Sequence, residues 1–272
     1  MKRTGKNPPA KWLLKGKTQS PAQRRAYWEQ NHEDGYKDVF SVTEDPALRA
    51  YIVDALADLP SHQKILIPGC GSKGLLEQSI AVSLPGCQHV LCTDFAKVVG
   101  IPAAANKNAL IEYRGIDSGK LDMKGQFDAI VVVNSILSDN DSENRKILKS
   151  CLKALKPGGS LIGFFPTVFC ALDFAITSKL PEWKSYLQNN VDLETQSEHE
   201  EPQNVRQTFY SPLLLNQILK EAGFKDRKMG VYFFDSAFFH RQSQALYGIT
   251  DTDLTVYEFF VTAKRPLAPR PS

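Results

Sequence analysis

The sequence of 272 residues predicts an α/β fold with a doubly wound, mostly parallel sheet, and three observations support that prediction. Short, continuous apolar runs recur along the chain, as expected for strands that are buried on both faces. Segments long enough for helices separate these runs. The first run leads into a turn with three glycines, Gly69, Gly71 and Gly74, spaced as G-x-G-x-x-G, which is typical of the first strand in such a sheet.

Two helices are predicted before the sheet. The first spans SPAQRRAYWEQNHE from about residue 20, with Ser20 as its N-cap and Pro21 at its first helical position. The second is PALRAYIVDALADL at 46–59, which has apolar residues on one face. We therefore expect residues 20–60 to form a helical cap on the domain that follows.

The sheet region follows this cap. Its predicted strands lie at 64–68, 88–93, 109–113, 128–133 and 160–165. The clearest helices between them lie at 74–84 and 141–155. Beyond residue 165 we predict, in order, a helix at 171–188, a polar acidic stretch at 191–204, a helix at 211–224 and strands around 227–235 and 254–263. The acidic stretch, with Glu198, Glu200 and Glu201, is expected to be a solvated loop; the alternative is a lid that attracts a cationic acceptor.

Charge is distributed unevenly along the chain. Residues 1–25 contain eight of the 33 Lys and Arg residues and no acid, so 25 bases face 30 acids in the remainder, whose net charge is −5. Because the basic arm at 1–19 contains Pro8 and Pro9 and only one aromatic residue, we expect a disordered tail and no nucleic-acid site. The last residues, 265–272, are also expected to be disordered.

The sequence also indicates the compartment. No apolar run approaches the roughly 18 residues of a membrane span, and the N-terminus lacks a secretory h-region. The five cysteines form no C-x-x-C pair, which argues against a disulfide framework and against a zinc site. We expect a cytoplasmic protein with reduced, mostly buried cysteines and no membrane partner.

The glycine turn predicts a nucleoside site. It follows a strand and precedes a helix, and Asp94 ends the second strand 20 residues after Gly74, where a carboxylate accepts from ribose hydroxyls. Glycines at 69 and 71 permit left-handed torsions and a close approach by a ligand. A helix N-cap is the alternative role for Asp94.

Further segments resemble the class I S-adenosylmethionine-dependent methyltransferases over about residues 60–264. They are FDAIVVVNSIL at 127–137, CLKALKPGGSLIGFF at 151–165, SPLLLNQILKEAGF at 211–224 and LTVYEFFVTAK at 254–264. The P-G-C-G form of the turn is most similar to thiopurine-methyltransferase-like, small-molecule members. The resemblance implies a seven-stranded, Rossmann-like sheet with an antiparallel last strand. It also implies a methyltransferase domain at 61–264 with acceptor-pocket insertions at about 166–210 and 231–252.

The resemblance implies S-adenosylmethionine as the cofactor. The backbone at Gly69, Cys70 and Gly71 would face its methionine part, Asp94 its ribose and Phe95 its adenine. The remaining implied cofactor residues are Asp117 and Ser118 at the adenine amino group, and Asn134 and Ser135 near the sulfonium. The alternative role for Asp117 is in a turn, and the alternative for Phe95 is packing in the core.

Two positions depart from the family's pattern. Ile67 stands where an acidic residue is frequent, and Lys73 where glycine is frequent. Another group must therefore hold the methionine ammonium, and we expect Asn134 or the N-terminal segment to do so.

Aromatic residues indicate the acceptor pocket. Tyr27 and Trp28 lie on the cap, as a lid over the cofactor or as anchors to the sheet. The stretch VYFFDSAFFHRQ at 231–242 adds Tyr232, Phe238 and Phe239 as acceptor-binding residues and His240 as a general base, although an aromatic cluster is also typical of a core. Phe165, at the end of its strand, completes the predicted set.

The sequence thus predicts an enzyme that methylates a nitrogen, or an oxygen, of a small molecule. The alternatives are a protein or RNA methyltransferase, a nicotinamide-dependent dehydrogenase and a binding protein without catalysis. The LKPGG segment and the closing strand disfavour the dehydrogenase.

Overall fold

The computed structural model describes residues 20–35, 41–200 and 205–268. The predicted tails at 1–19 and 269–272 lie outside these residues. Its helices are α1 (Pro21–Glu33), α2 (Pro46–Ala57), α3 (Leu75–Ser83), α4 (Ala96–Ala105), α5 (Asp141–Ala154), α6 (Val168–Thr177), α7 (Pro181–Asn190), α8 (Pro212–Ala222) and α9 (Ala237–Tyr247). Its strands are β1 (Lys64–Pro68), β2 (His89–Asp94), β3 (Ile111–Gly115), β4 (Phe127–Val133), β5 (Leu155–Pro166), β6 (Val191–Asp192), β7 (Ser197–Glu200), β8 (Val205–Thr208), β9 (Lys225–Phe233) and β10 (Tyr257–Lys264).

Seven strands form the main sheet in the order β3-β2-β1-β4-β5-β10-β9. Strands β1 to β5 pair in parallel, whereas β10 runs antiparallel to both of its neighbours. The predicted fold class, including the antiparallel last strand, is confirmed. Strand order reverses between β1 and β4, so the carboxyl ends of these two strands open onto the crevice where such sheets bind ligands.

The core explains why β4 is a continuous apolar run. Ile130 and Val132 pack on one face against residues of α5 and α8, and Ala129 and Val131 pack on the other against residues of α2 and α3. Both faces of the strand are therefore covered, and for this reason its sequence does not alternate between apolar and polar residues.

The predicted helix at 171–188 is wrong, because the segment forms two helices, α6 and α7. Leu180 is extended (φ −81°, ψ 118°), and Pro181 starts α7. A residue before proline is disfavoured in the helical region, so the chain breaks there. The insertion between β9 and β10 likewise contains a helix, α9, which Ser236 caps at its N-terminus.

The solvated loop predicted at 191–204 is also wrong where the structure describes it. β6, β7 and β8 form a small antiparallel sheet, in which Glu198 is only 6% exposed. A bridge between Ser138 and Gln207 and a hydrogen bond from the Thr208 hydroxyl to the Ser138 carbonyl (2.6 Å) attach it to the end of the main sheet. This small sheet therefore lies beside the crevice.

Helix α1 is fixed beside the same crevice. Ser20 and Gln23 form a capping box at its start, as the sequence indicated for Ser20. Arg24 binds Asp139 (2.9 Å) and Glu143 (2.5 Å), which follow β4. Among the described helices, none is long and apolar enough to cross a membrane.

Candidate functional site

The glycine turn after β1 forms one wall of a cavity of about 990 Å³. Gly69, Gly71 and Gly74 all have left-handed torsions, with φ between 66° and 71°. A Cβ atom on Gly69 would lie 2.5 Å from the Ser135 Cβ, so the turn also needs glycine to approach the end of β4. The predicted left-handed torsions are therefore present, and the backbone of this turn faces open space.

Asp94 ends β2 and supports the turn. Its carboxylate accepts from the backbone N–H of Gly71 (3.0 Å) and of Phe95 (2.7 Å). Burial raises the pKa of Asp94 to about 6, against the effect of these hydrogen bonds. The N-cap residue of α4 is Phe95, and no side chain makes a capping hydrogen bond at this helix start. Asp94 is therefore not the N-cap residue, which was the alternative role for it. Each carboxylate oxygen retains lone-pair capacity toward the cavity, which Asp94 lines.

Phe95, Asp117 and Ser118 continue the same wall. The Asp117 carboxylate accepts from the Gly119 N–H (2.8 Å) and caps a short 3₁₀ turn. The turn role anticipated for Asp117 is thus observed, and it places the residue at the cavity surface. The Arg25 guanidinium lies 5.5 Å from the centre of the Phe95 ring.

The floor of the cavity contains buried polar groups without protein partners. Asn134 follows β4 with φ 47°, and its Nδ2 donates to Oε1 of Glu258 (2.7 Å). Asn134 Oδ1, Ser135 Oγ and Glu258 Oε2 are buried without a hydrogen bond in the described structure. Such groups are costly unless a ligand or water satisfies them. Burial raises the pKa of Glu258 to about 7.

The rest of the cavity wall is aromatic and acidic. Its aromatic side chains are Trp28, Trp183, Tyr186, Phe209, Phe239, Tyr247 and Tyr257. Glu198 of β7 also lines the cavity, and the Tyr257 hydroxyl donates to the Asp173 carboxylate. Helix α1, helix α7 and the small sheet therefore complete a chamber over the ends of β1, β4 and β5.

His32 of α1 reaches the glycine turn, which the sequence reading missed. Its Nδ1 lies 2.8 Å from the Ser72 hydroxyl. Burial, with a smaller effect of nearby Lys73, lowers the pKa of His32 to about 4, so the ring is neutral at pH 7. Lys73 pairs with Glu44 (2.7 Å), and Ile67 lies in the core. These two departures from the family's pattern therefore have structural roles.

The predicted acceptor residues separate into two groups. Trp28 and Phe239 line the cavity. Outside the lining formed by the described residues lie Tyr27, Phe165, Tyr232, Phe238 and His240.

Three of these placements have a clear physical reason. Phe165 packs in the core against Tyr210, with ring centres 5.4 Å apart. Tyr232 points to the other face of the sheet, where its ring lies 4.9 Å from that of Tyr51. His240 follows Phe239 on α9, and it is Phe239 that turns inward and stacks on Phe234. The geometry thus gives His240 no position at the cavity.

Sequence reasoning missed His32, Trp183 and Glu258. His32 lies one helical turn after Trp28 on α1, and this spacing was the signal that both face the site. Glu258 gave no such signal, because its side chain enters the site only through the reversed direction of β10.

No protein-family model and no curated protein matches this sequence. Solved structures share its fold at low identity. A chain of a Haloferax volcanii complex that contains the Trm112 methyltransferase activator matches with a TM-score of 0.59 and 14% identity, over 90% of this chain and 97% of that one. An S-adenosylmethionine-dependent methyltransferase from Methanosarcina mazei matches with a TM-score of 0.57 and 15% identity, over 82% of this chain and 99% of that one.

Human N-acetylserotonin methyltransferase, in complex with S-adenosylmethionine, gives a TM-score of 0.52 at 15% identity, over 96% of this chain and 61% of that one. Identities this low establish the fold alone. The fold is that of class I S-adenosylmethionine-dependent methyltransferases.

Proposed function

We propose that the protein transfers a methyl group from S-adenosylmethionine to a nitrogen, or an oxygen, of a small molecule. The observation that carries this proposal is the single chamber shared by the glycine turn, Asp94 and Asn134. Its volume of about 990 Å³ lies at the top of the roughly 300–1,000 Å³ range of small-molecule sites, which leaves room for a cofactor and a small acceptor.

The residues present fit the cofactor. Gly69 lines the cavity with its backbone, which can face the methionine part, and Asp94 faces the cavity as an acceptor for ribose hydroxyls. Phe95 supplies a ring face for the adenine, with Asp117 and Ser118 beside it. The unpaired Oδ1 of Asn134 is an acceptor for the methionine ammonium, in place of the acidic residue absent at Ile67.

Bound S-adenosylmethionine supplies a methyl group that its sulfonium already activates. The protein's task is therefore to hold a deprotonated nucleophile in line with that methyl group and to exclude water. The rings of Trp28 and Trp183 and the small sheet surround the acceptor half of the chamber. They can therefore both position the acceptor and exclude water.

Calorimetry with two nucleoside ligands tests the cofactor assignment. We expect the protein to bind S-adenosylmethionine in the micromolar range and not to bind NAD, because the antiparallel closing strand β10 disfavours a dehydrogenase. Binding of NAD alone would favour the dehydrogenase. Tight S-adenosylmethionine binding without transfer to any class of acceptor would favour a binding protein.

A further inference from the structure

Glu258 is placed at the reactive end of the sheet by the direction of β10. It is the second residue of that strand and pairs with Pro166, the last residue of β5. Because β10 is antiparallel, its beginning lies beside the carboxyl ends of β4 and β5. The Glu258 carboxylate thus reaches Asn134 (2.7 Å) across β5, on the side of Asn134 away from the glycine turn.

The Glu258 carboxylate has no counter-ion among the residues that the structure describes. The residue is 6% exposed, its Oε1 accepts from Asn134, and its Oε2 has no hydrogen bond in the described structure. No described Lys, Arg or His forms an ion pair with it. Burial of an unpaired carboxylate costs several kcal/mol, and an apolar residue there would give a more stable fold. Such a group at a cavity is expected where a ligand supplies the missing partner.

The charge of the chamber matches a cationic ligand. Its described lining includes three bases and six acids, which are Arg24, Lys73, Arg206, Asp94, Asp117, Glu143, Glu182, Glu198 and Glu258. The bases face acids: Arg24 binds Asp139 and Glu143, Lys73 binds Glu44, and Arg206 lies 3.7 Å from Asp192. The rings of Trp183 and Tyr257 add faces that attract a cation.

We propose that the acceptor is an amine and that Glu258 is the catalytic residue that binds its ammonium group and takes one proton from it. This inference rests on the proposed function and adds the class of acceptor. A pKa near 7 suits a group that exchanges a proton at neutral pH. Asn134 positions the carboxylate through the hydrogen bond at Oε1 and leaves Oε2 for the amine.

An acceptor that enters as R–NH₃⁺ gives one proton to the Glu258 carboxylate and becomes R–NH₂. Its lone pair forms the new N–C bond to the methyl group, while the S–C bond breaks and the sulfur keeps the bonding pair. The positive charge moves from sulfur to nitrogen, the product leaves as R–NH₂–CH₃⁺, and the Glu258 proton returns to water.

Amine binding without cofactor tests this assignment in the full chain. The probes are a panel of small amines led by 2-phenylethylamine, each compared with its neutral alcohol, here 2-phenylethanol. We expect the wild type to prefer amines at least tenfold by calorimetry and Glu258→Gln to lose the preference. Glu77→Gln is the matched control, since Glu77 is 1% exposed, accepts from the Tyr113 hydroxyl (2.8 Å) and lies outside the described cavity lining.

Two outcomes overturn the assignment: no amine of the panel is preferred over its alcohol, or Glu258→Gln keeps the preference. The affinity for S-adenosylmethionine is measured alongside and is expected to change less than about twofold in Glu258→Gln. A large loss would assign Glu258 to the cofactor instead, and so would overturn the acceptor role. If the wild type binds no S-adenosylmethionine, it is the proposed function that fails, whatever the amine result.

Transfer of a labelled methyl group completes the test. With an amine that binds, we expect kcat/KM of Glu258→Gln to fall at least a hundredfold, while Glu77→Gln stays within about threefold. Equal transfer by the wild type and Glu258→Gln would exclude proton transfer to Glu258. A circular dichroism melt confirms that both variants are folded.

Discussion

Asp94 shows how one carboxylate serves both the fold and the site. It fixes the glycine turn through two backbone N–H groups and faces the nucleoside half of the chamber. Asp94→Ala should weaken S-adenosylmethionine binding by about 1–3 kcal/mol, or about 5- to 150-fold, because hydrogen bonds to a charged acceptor are lost. Calorimetry measures the change, with the exposed Asp122→Ala as control. Unchanged affinity in folded Asp94→Ala would refute the ribose assignment.

Glu258 should make stability depend on pH. Its folded pKa of about 7 exceeds the usual 4.5, so the folded protein holds this proton more tightly than the unfolded chain does. The resulting stabilisation is complete below pH 4.5 and is lost as the pH rises through 7. Relative to Glu258→Gln, the wild type should therefore lose about 3 kcal/mol of unfolding free energy between pH 4 and pH 8.

Urea unfolding of both proteins across this range checks the sign. Other titrating groups are shared by the two proteins and cancel in the difference. Parallel plots of unfolding free energy against pH for the two proteins would mean that folding does not raise the pKa of Glu258.

At the residue scale, the sequence predicted the cofactor half of the site better than the acceptor half. Asp94 ends β2 and Asn134 follows β4, and the carboxyl ends of such parallel strands share one edge of the sheet. The position of Glu258 depends instead on the direction of one strand and on a partner 124 residues away, which no local pattern records.

The glycine turn is the element on which the chamber depends. Gly69→Ala should cost at least about 1–2 kcal/mol from its left-handed torsion, and the new Cβ would also displace Ser135. We expect loss of S-adenosylmethionine binding by more than tenfold. Gly100→Ala is the control: this glycine lies exposed in α4 with open space around it, so alanine should be neutral or stabilising by up to about 1 kcal/mol.

Chemical denaturation and calorimetry of the two alanine variants separate the effects. Equal behaviour of Gly69→Ala and Gly100→Ala would contradict the need for glycine at the turn.

Helix α1 should depend on Arg24 for its position. Arg24 is 10% exposed at its side chain and binds Asp139, which is 5% exposed. Arg24→Met leaves that carboxylate unpaired, at a cost of about 3 kcal/mol. Hydrogen exchange of the amides at 24–33 should then accelerate by about a hundredfold.

Arg25→Met is the matched control, since Arg25 is 53% exposed and its pair with Glu29 spans one helical turn. Its effect should stay near 0.5 kcal/mol or below. Similar exchange in both variants would show that α1 is held by other contacts.

At the element scale, prediction succeeded where the local signal and the tertiary environment agree. The strand KILIP and the helix from Pro212 to Ala222, with its Ser211 cap and Gly223 stop, are confirmed. The prediction of a solvated loop failed because Glu198, a charged residue, is buried in β7, where it lines the chamber. Tertiary contacts override composition there.

At the scale of the whole molecule, deletion of the basic arm distinguishes a small-molecule acceptor from RNA. Deletion of residues 1–19 should leave methyl transfer within a few-fold of the full chain, because the described residues already supply the glycine turn, Asp94, Asn134 and Glu258. Filter binding of RNA at several salt concentrations checks the alternative. Strong, steeply salt-dependent RNA binding that the deletion abolishes would favour an RNA methyltransferase.

The overall architecture was predictable because buried parallel strands, helices of ordinary length and a glycine turn all indicate the same layered fold. The resemblance implied acceptor-pocket insertions at about 166–210 and 231–252, but the small sheet and α9 within them were not predicted, because they depend on long-range packing. The sequences of these two segments contain turn and cap residues, but no periodicity that distinguishes a cavity wall from a solvated loop.

The reversed strand β10 also affects how the protein is made. On the ribosome, the glycine turn, Asp94 and Asn134 emerge well before Glu258, which follows Asn134 by 124 residues. Because β10 lies between β5 and β9, the sheet has an open edge at β5 until this last strand inserts. The nascent chain can therefore form its nucleoside half first, while the β5 edge is exposed to mispairing and to chaperones until β10 has emerged and paired with it.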